Sequence, residues 1–185
     1  FDVALRTVLG DAVTEMTERQ ILLSACRVAA AAMAANPNAV AVVERACRFG
    51  LSLEQPRLLA LSFRLCGAIP AVVAALATTA ASAPMTAAVI CEILHGISDE
   101  VECWDELVAA GLVPALLAVF AAPEPPVGLV TSACGLVYRH SMAPTTRLAF
   151  VGAGAVAAMI NALLTHAASA DGRSAVRDAL AQVSD

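Results

Sequence analysis

Few side chains in this sequence stand at spacings that chemistry can use. Cys91 and His95 are four residues apart, so a helix would put a thiol and an imidazole on one face, where two ligands of a metal ion could meet. Two ligands fall short of the tetrahedral set that a closed site needs, so no metal is expected. Gly152-Ala153-Gly154 resembles part of a dinucleotide-binding fingerprint, but no strand pattern leads into it. There is no Gly-x-Ser-x-Gly elbow, no phosphate-binding loop and no HExxH motif. The sequence therefore argues for a protein that is not an enzyme and that uses no cofactor.

The most charged stretch is Asp99-Glu100-Val101-Glu102-Cys103-Trp104-Asp105-Glu106, with five acids in eight residues. Acids complement the positive end of a helix dipole, so this stretch reads first as a helix start. Trp104 is expected to turn inward between helices. A weaker reading makes Glu102, Trp104, Asp105 and Glu106 a patch for a basic protein, with Trp104 as its anchor, since Trp is a frequent interface hot spot.

Composition narrows the class. The 185 residues are 59% hydrophobic but only 4% aromatic, carry a net charge of −5, and include eleven Arg and no Lys. Mean hydropathy is +0.77 and the isoelectric point about 5.1. Small residues let helices pack closely, so the apolar excess fits a chain that is nearly all helix. No basic stripe is present for a nucleic-acid backbone. The six cysteines form no CxxC pair, and all but Cys103 sit among apolar helix positions. They read as free thiols in a reducing compartment, which is the cytoplasm or the nucleus. The chain begins at Phe1 without a signal-peptide pattern, and its repeats read as cut at both ends, so a fragment of a longer protein is expected. Leu148 to Ala170 is a run of 23 residues without Asp, Glu, Lys or Arg, long enough to nominate a membrane span. Its Gly falls at a fixed phase of a repeat, and no basic residues flank it to set an orientation, so membrane insertion is not expected.

The elements that position these residues recur. Cys66-Gly67-Ala68-Ile69-Pro70, Ala110-Gly111-Leu112-Val113-Pro114 and Ala153-Gly154-Ala155-Val156-Ala157 place their glycines 44 and 43 residues apart. A period of that length predicts stacked helical repeats. The predicted trios are 55–65, a helix from Pro70, and 84–98; then 99–110, 113–120 and 127–141; then 145–151, 155–166 and 173–183, the last capped by Asp171. Ahead of them, 1–10, 14–35 and 39–50 read as helices, broken at Asn36-Pro37-Asn38 with a good N-cap. The third helices share a register: Ile90, Ile93, Leu94 and Ile97 match Ala133, Leu136, Val137 and His140, then Val176, Ala179, Leu180 and Val183. His140 alone breaks the apolar set, and is expected at a frayed helix end, interacting with the last carbonyls, with a pH-sensitive imidazole as the alternative.

On these residues the chain resembles the armadillo-repeat family, in which a Gly-(Ala/Leu)-(Ile/Val)-Pro motif starts the second of three helices. The resemblance is good from Glu54 to Asp185 and weak before it. It implies an all-α, right-handed superhelix of about four stacked three-helix repeats, with units at 1–10 (partial), 11–53, 54–98, 99–141 and 142–185 forming one repeat domain. It also implies that third helices line a groove. Nuclear-import receptors of the family repeat a Trp and an Asn there. The matching positions here carry Glu92 and Gly96, Gly135 and Arg139, and Asp178 and Gln182. The expected function is a non-enzymatic scaffold that binds a protein or extended peptide through Glu92, His95, Tyr138, Arg139, Asp178 and Gln182, with no small-molecule substrate. The alternatives are a nuclear-import-type transport adaptor, or a regulatory helical segment of a larger effector protein.

Overall fold

The computed structural model describes residues 20–166, apart from 22, 26, 30, 34, 37, 38 and 52–55. The helices expected at 1–10 and 173–183, the Asp171 cap, and Asp178 and Gln182 lie outside the described residues. Among the described residues the structure is all-α, without a strand. Helical residues fill much of 20–35. Asn36 donates its side-chain amide to Ala32 O, 3.1 Å away, across the last turn of that segment, while Pro37 and Asn38 of the expected break lie outside the described residues.

Among the described residues nine helices follow: α1 Val40–Leu51, α2 Pro56–Leu65, α3 Ile69–Thr79, α4 Pro84–Ser98, α5 Trp104–Ala109, α6 Leu112–Phe120, α7 Val127–Ser141, α8 Pro144–Gly152 and α9 Ala155–His166. Proline marks several starts. It occupies the first turn of α3, α4 and α8, where its fixed φ suits the helix and its missing N–H costs nothing. The expected helix at 99–110 is shorter than the sequence suggests. Asp99 closes α4, Glu100 is extended (φ −99°, ψ 113°), and Val101–Cys103 forms a 3₁₀ turn leading into α5. The chain has to reverse between two helices within these few residues, and a continuous helix could not do so.

Gly67, Gly111 and Gly154 have φ of +62°, +94° and +74°. They stand at the joints α2–α3, α5–α6 and α8–α9. At Gly111 an added Cβ would meet only Pro114 Cγ, at an ordinary 3.7 Å, so the left-handed backbone and not lack of space demands glycine. At two of these joints the flanking segments, Val101–Ala109 with Leu112–Phe120 and Pro144–Gly152 with Ala155–His166, are bent by 74° and 66°. No single helix among the described residues is long and apolar enough to cross a membrane.

The bends put like helices against like. The helices that follow the glycines pack in a row, α3 on α6 and α6 on α9, while the longer helices form a second row, α1 on α4 and α4 on α7. Between the rows lies the core: Ile69, Val72, Leu76, Leu112, Leu116 and Val119 face Ile90, Ile93, Leu94, Ile97, Ala133, Leu136 and Val137, all buried. Cys103, which the sequence set apart from the apolar cysteines, is buried with them. Polar links join residues about one period apart. Cys66 Sγ reaches Leu23 O (3.5 Å), Thr86 donates to Glu44 (3.2 Å), and Arg64 pairs with Glu106 (3.4 Å).

Because the cost at Gly111 is one of backbone conformation, Gly111→Ala should lower unfolding stability by about 1–2 kcal/mol. Gly111→Asn should cost less, since Asn tolerates the left-handed region. Urea unfolding followed by circular dichroism measures both, and equal losses would refute the assignment.

Candidate functional site

Where the ends of α4 and α7 meet the start of α5, the surface opens into a cavity of about 690 Å³ lined by His95, Ser98, Asp99, Trp104, Gly135, Tyr138, Arg139 and Met142. Helix spacing assembles it. His95, Ser98 and Asp99 come from successive turns at the end of α4, Gly135, Tyr138 and Arg139 from the facing turns of α7, and Trp104 opens α5. Gly135 is buried and contributes no side chain, which leaves room between the aromatic and charged walls.

The polar walls are tied down. His95 Nε2 is 2.8 Å from Ser132 O across the α4–α7 seam. Burial holds the His95 pKa below its ordinary value, partly offset by that bond. Arg139 donates to His95 O (3.3 Å) and pairs with Asp99. The indole N–H of Trp104 donates to Ser98 O (2.8 Å), which turns this half-buried ring along the pocket wall.

Beneath this wall lies His140, and its place overturns the expectation of a frayed end. Helix α7 continues to Ser141, and His140 is 0% exposed. Its Nε2 is 3.0 Å from Ser98 Oγ, and its backbone carbonyl accepts a hydrogen bond from Thr146. Its ring lies 5.4 Å from Trp104 and 5.9 Å from Phe150, stacked on the latter. Nδ1 has no hydrogen-bond partner. Burial, reinforced by the nearby Arg139 and His95, lowers the His140 pKa to about 4. Thr146 on α8 fixes the helix end that the sequence left loose.

Of the residues the sequence nominated, His95, Tyr138, Arg139 and Trp104 line the same pocket. Glu92 is exposed on α4 but outside it. Glu102 and Asp105 are exposed at the helix start, while Glu106 is engaged by Arg64. Cys91 is buried, with its thiol pKa raised to about 12 by burial, and no cluster of metal-ligating residues occurs among the described residues. Ser98 and Met142 were not nominated, and Asp99 stood out only as the first acid of the charged stretch; a further signal for Ser98 and Asp99 is that they lie about one period before His140 and Arg139. No known family model matches this chain, and neither does any curated protein or solved structure.

The buried imidazole has a stability consequence. Its folded pKa, about 4, lies below the ordinary value of 6.5, so protons bind the unfolded chain better. The contribution is whole above about pH 6.5 and is lost as pH falls toward about pH 4, amounting to about 3 kcal/mol at most. Urea midpoints should therefore drop through this window in the wild type. In His140→Leu, which restores the apolar residue type of Ile97 one period earlier, the drop should be shallower. Parallel pH profiles would refute the role.

Proposed function

We propose that this chain is an armadillo-type repeat segment that acts without catalysis, recognising a protein or an extended peptide along the surface of α4 and α7. The observation that supports this reading is the pocket itself. Aromatic Trp104 and Tyr138, flexible Met142 and polar His95 share one concave lining between two stacked helices. Pockets with aromatic anchors and a few fixed polar groups are where binding energy concentrates. The packing of like helices in two rows supports a stack of helix trios, with units near 54–98, 99–141 and 142–185, and the proposed right-handed superhelix comes from the family resemblance. Such arrays present long surfaces rather than closed sites, because each trio buries its apolar face only against its neighbours.

The surroundings give the partner a charge. Asp99 and Arg139 neutralise each other, while Glu92 on α4, and Glu102 and Asp105 on either side of Trp104 in sequence, are exposed. The partner is a segment that seats one apolar or aromatic side chain in the pocket and carries basic residues beside it. The five cysteines among the described residues are free thiols, which favours a reducing compartment as its setting.

Selection from a random peptide display library tests this directly. Binders should share a large apolar residue next to Arg or Lys. Their affinity should fall roughly tenfold or more, about 1.4 kcal/mol, in Tyr138→Ala. Glu92→Arg should weaken the same peptides with stronger effect at low salt. Both variants are checked for unchanged helicity. Binders indifferent to both substitutions would exclude this surface.

A further inference from the structure

We propose that His140 is a proton-operated latch for the pocket wall: the neutral ring holds Ser98 and Trp104 in place, and the charged ring releases them. The link to recognition rests on the reading above, whereas the latch rests only on the geometry. His140 occupies the slot that Ile97 fills one period earlier, so an imidazole there is a departure from an otherwise apolar pattern. It touches the pocket through two lining residues. Ser98 meets its Nε2 at 3.0 Å, and Trp104 packs on its ring at 5.4 Å while donating to the Ser98 carbonyl at 2.8 Å. The three residues form one closed triangle of contacts.

A neutral imidazole fits this slot because it needs a single hydrogen-bond partner: one nitrogen serves Ser98, and the other can stay bare. A charged imidazole carries N–H on both nitrogens, and Nδ1 has no acceptor within reach. A buried, unsatisfied, charged donor is expensive, so the charged ring turns to bring Nδ1–H to water. That rotation breaks the Ser98 contact and frees the Trp104 face of the pocket.

The neighbouring charges do nothing to spare it. Arg139 on the same helix and His95 on α4 both disfavour a second positive charge. Asp99 at the end of α4 is committed to Arg139, and Glu106 of α5 to Arg64. Helix α8 offers Thr146 and Phe150, with Arg147 exposed, and α9 carries His166 in its last turn. No carboxylate is among the groups that act on the ring.

Trp104 is the chain's one tryptophan, so its fluorescence reports this wall alone. The test is acrylamide quenching of the wild type and His140→Leu from about pH 7.5 to about pH 3.5, so that the window spans the His140 transition, with helicity recorded at each point. Quenching should rise severalfold on acidification in the wild type at constant helicity, and stay flat in His140→Leu. An equal rise in both, no rise in the wild type, or a rise that tracks loss of helicity would overturn the latch. If His140→Leu does not fold, NMR of the wild type decides. The His140 ring and Trp104 indole signals should titrate with one shared midpoint below that of an exposed histidine, and separate midpoints would overturn it. Neither measurement uses a ligand, so failure of the latch and failure of peptide selection are told apart.

Discussion

The left-handed glycine at the joint between a shorter helix and the one after it is the constraint on which the described structure depends. Three glycines about 43 residues apart adopt φ between +62° and +94°. In that region the Cβ of an L-residue crowds a backbone carbonyl, so these three joints take up their bend at little cost only with glycine. The bend stops apolar segments such as 148–166 from becoming one long helix, and instead folds each onto a neighbour one period away. The two rows of helices, and the core between them, follow from repeating that bend.

Cohesion between periods is mainly apolar. The described ion pairs have side chains roughly one-third to two-thirds exposed, so each adds little to stability. The polar links between periods set register instead: the Thr86–Glu44 and His95–Ser132 hydrogen bonds and the Arg139–Asp99 ion pair fix how far α1, α4 and α7 slide along one another. The pocket is a product of that register. Its floor is Gly135, and its walls come from turns that meet only when α4 and α7 align. His140 is the place where the apolar rule is broken, and it is also where the pocket wall is fastened to the core.

Much of the helix pattern was legible because it rests on local rules. Proline in the first turn, glycine at the bend and the i, i+3, i+4, i+7 register located α4, α7 and α9 at the bounds the structure gives. The pocket was half legible. His95, Tyr138, Arg139 and Trp104 could be nominated because polar and aromatic side chains stood out on helix faces. Their mutual arrangement could not, since hydrogen bonds between periods depend on side-chain reach across a packed seam. His140 shows the limit. At a helix end it reads as solvated, and only the Thr146 hydroxyl and the rings of Trp104 and Phe150, placed by other elements, reveal it as buried. Glu100 was missed for a similar reason: its extended backbone answers to the reversal between α4 and α5, not to its own helix preference.

If each period is held mainly by its neighbours, local damage should stay local. The most direct measurement is peptide-resolved hydrogen exchange on the wild type and Gly154→Ala under native conditions. The account predicts that amide protection falls in α8 and α9 and in the parts of α7 that pack on them, while α1 and the start of α4 keep theirs. A uniform loss of protection from α1 through α9 would contradict it, and would mean that the described helices behave as one indivisible globule rather than as a stack.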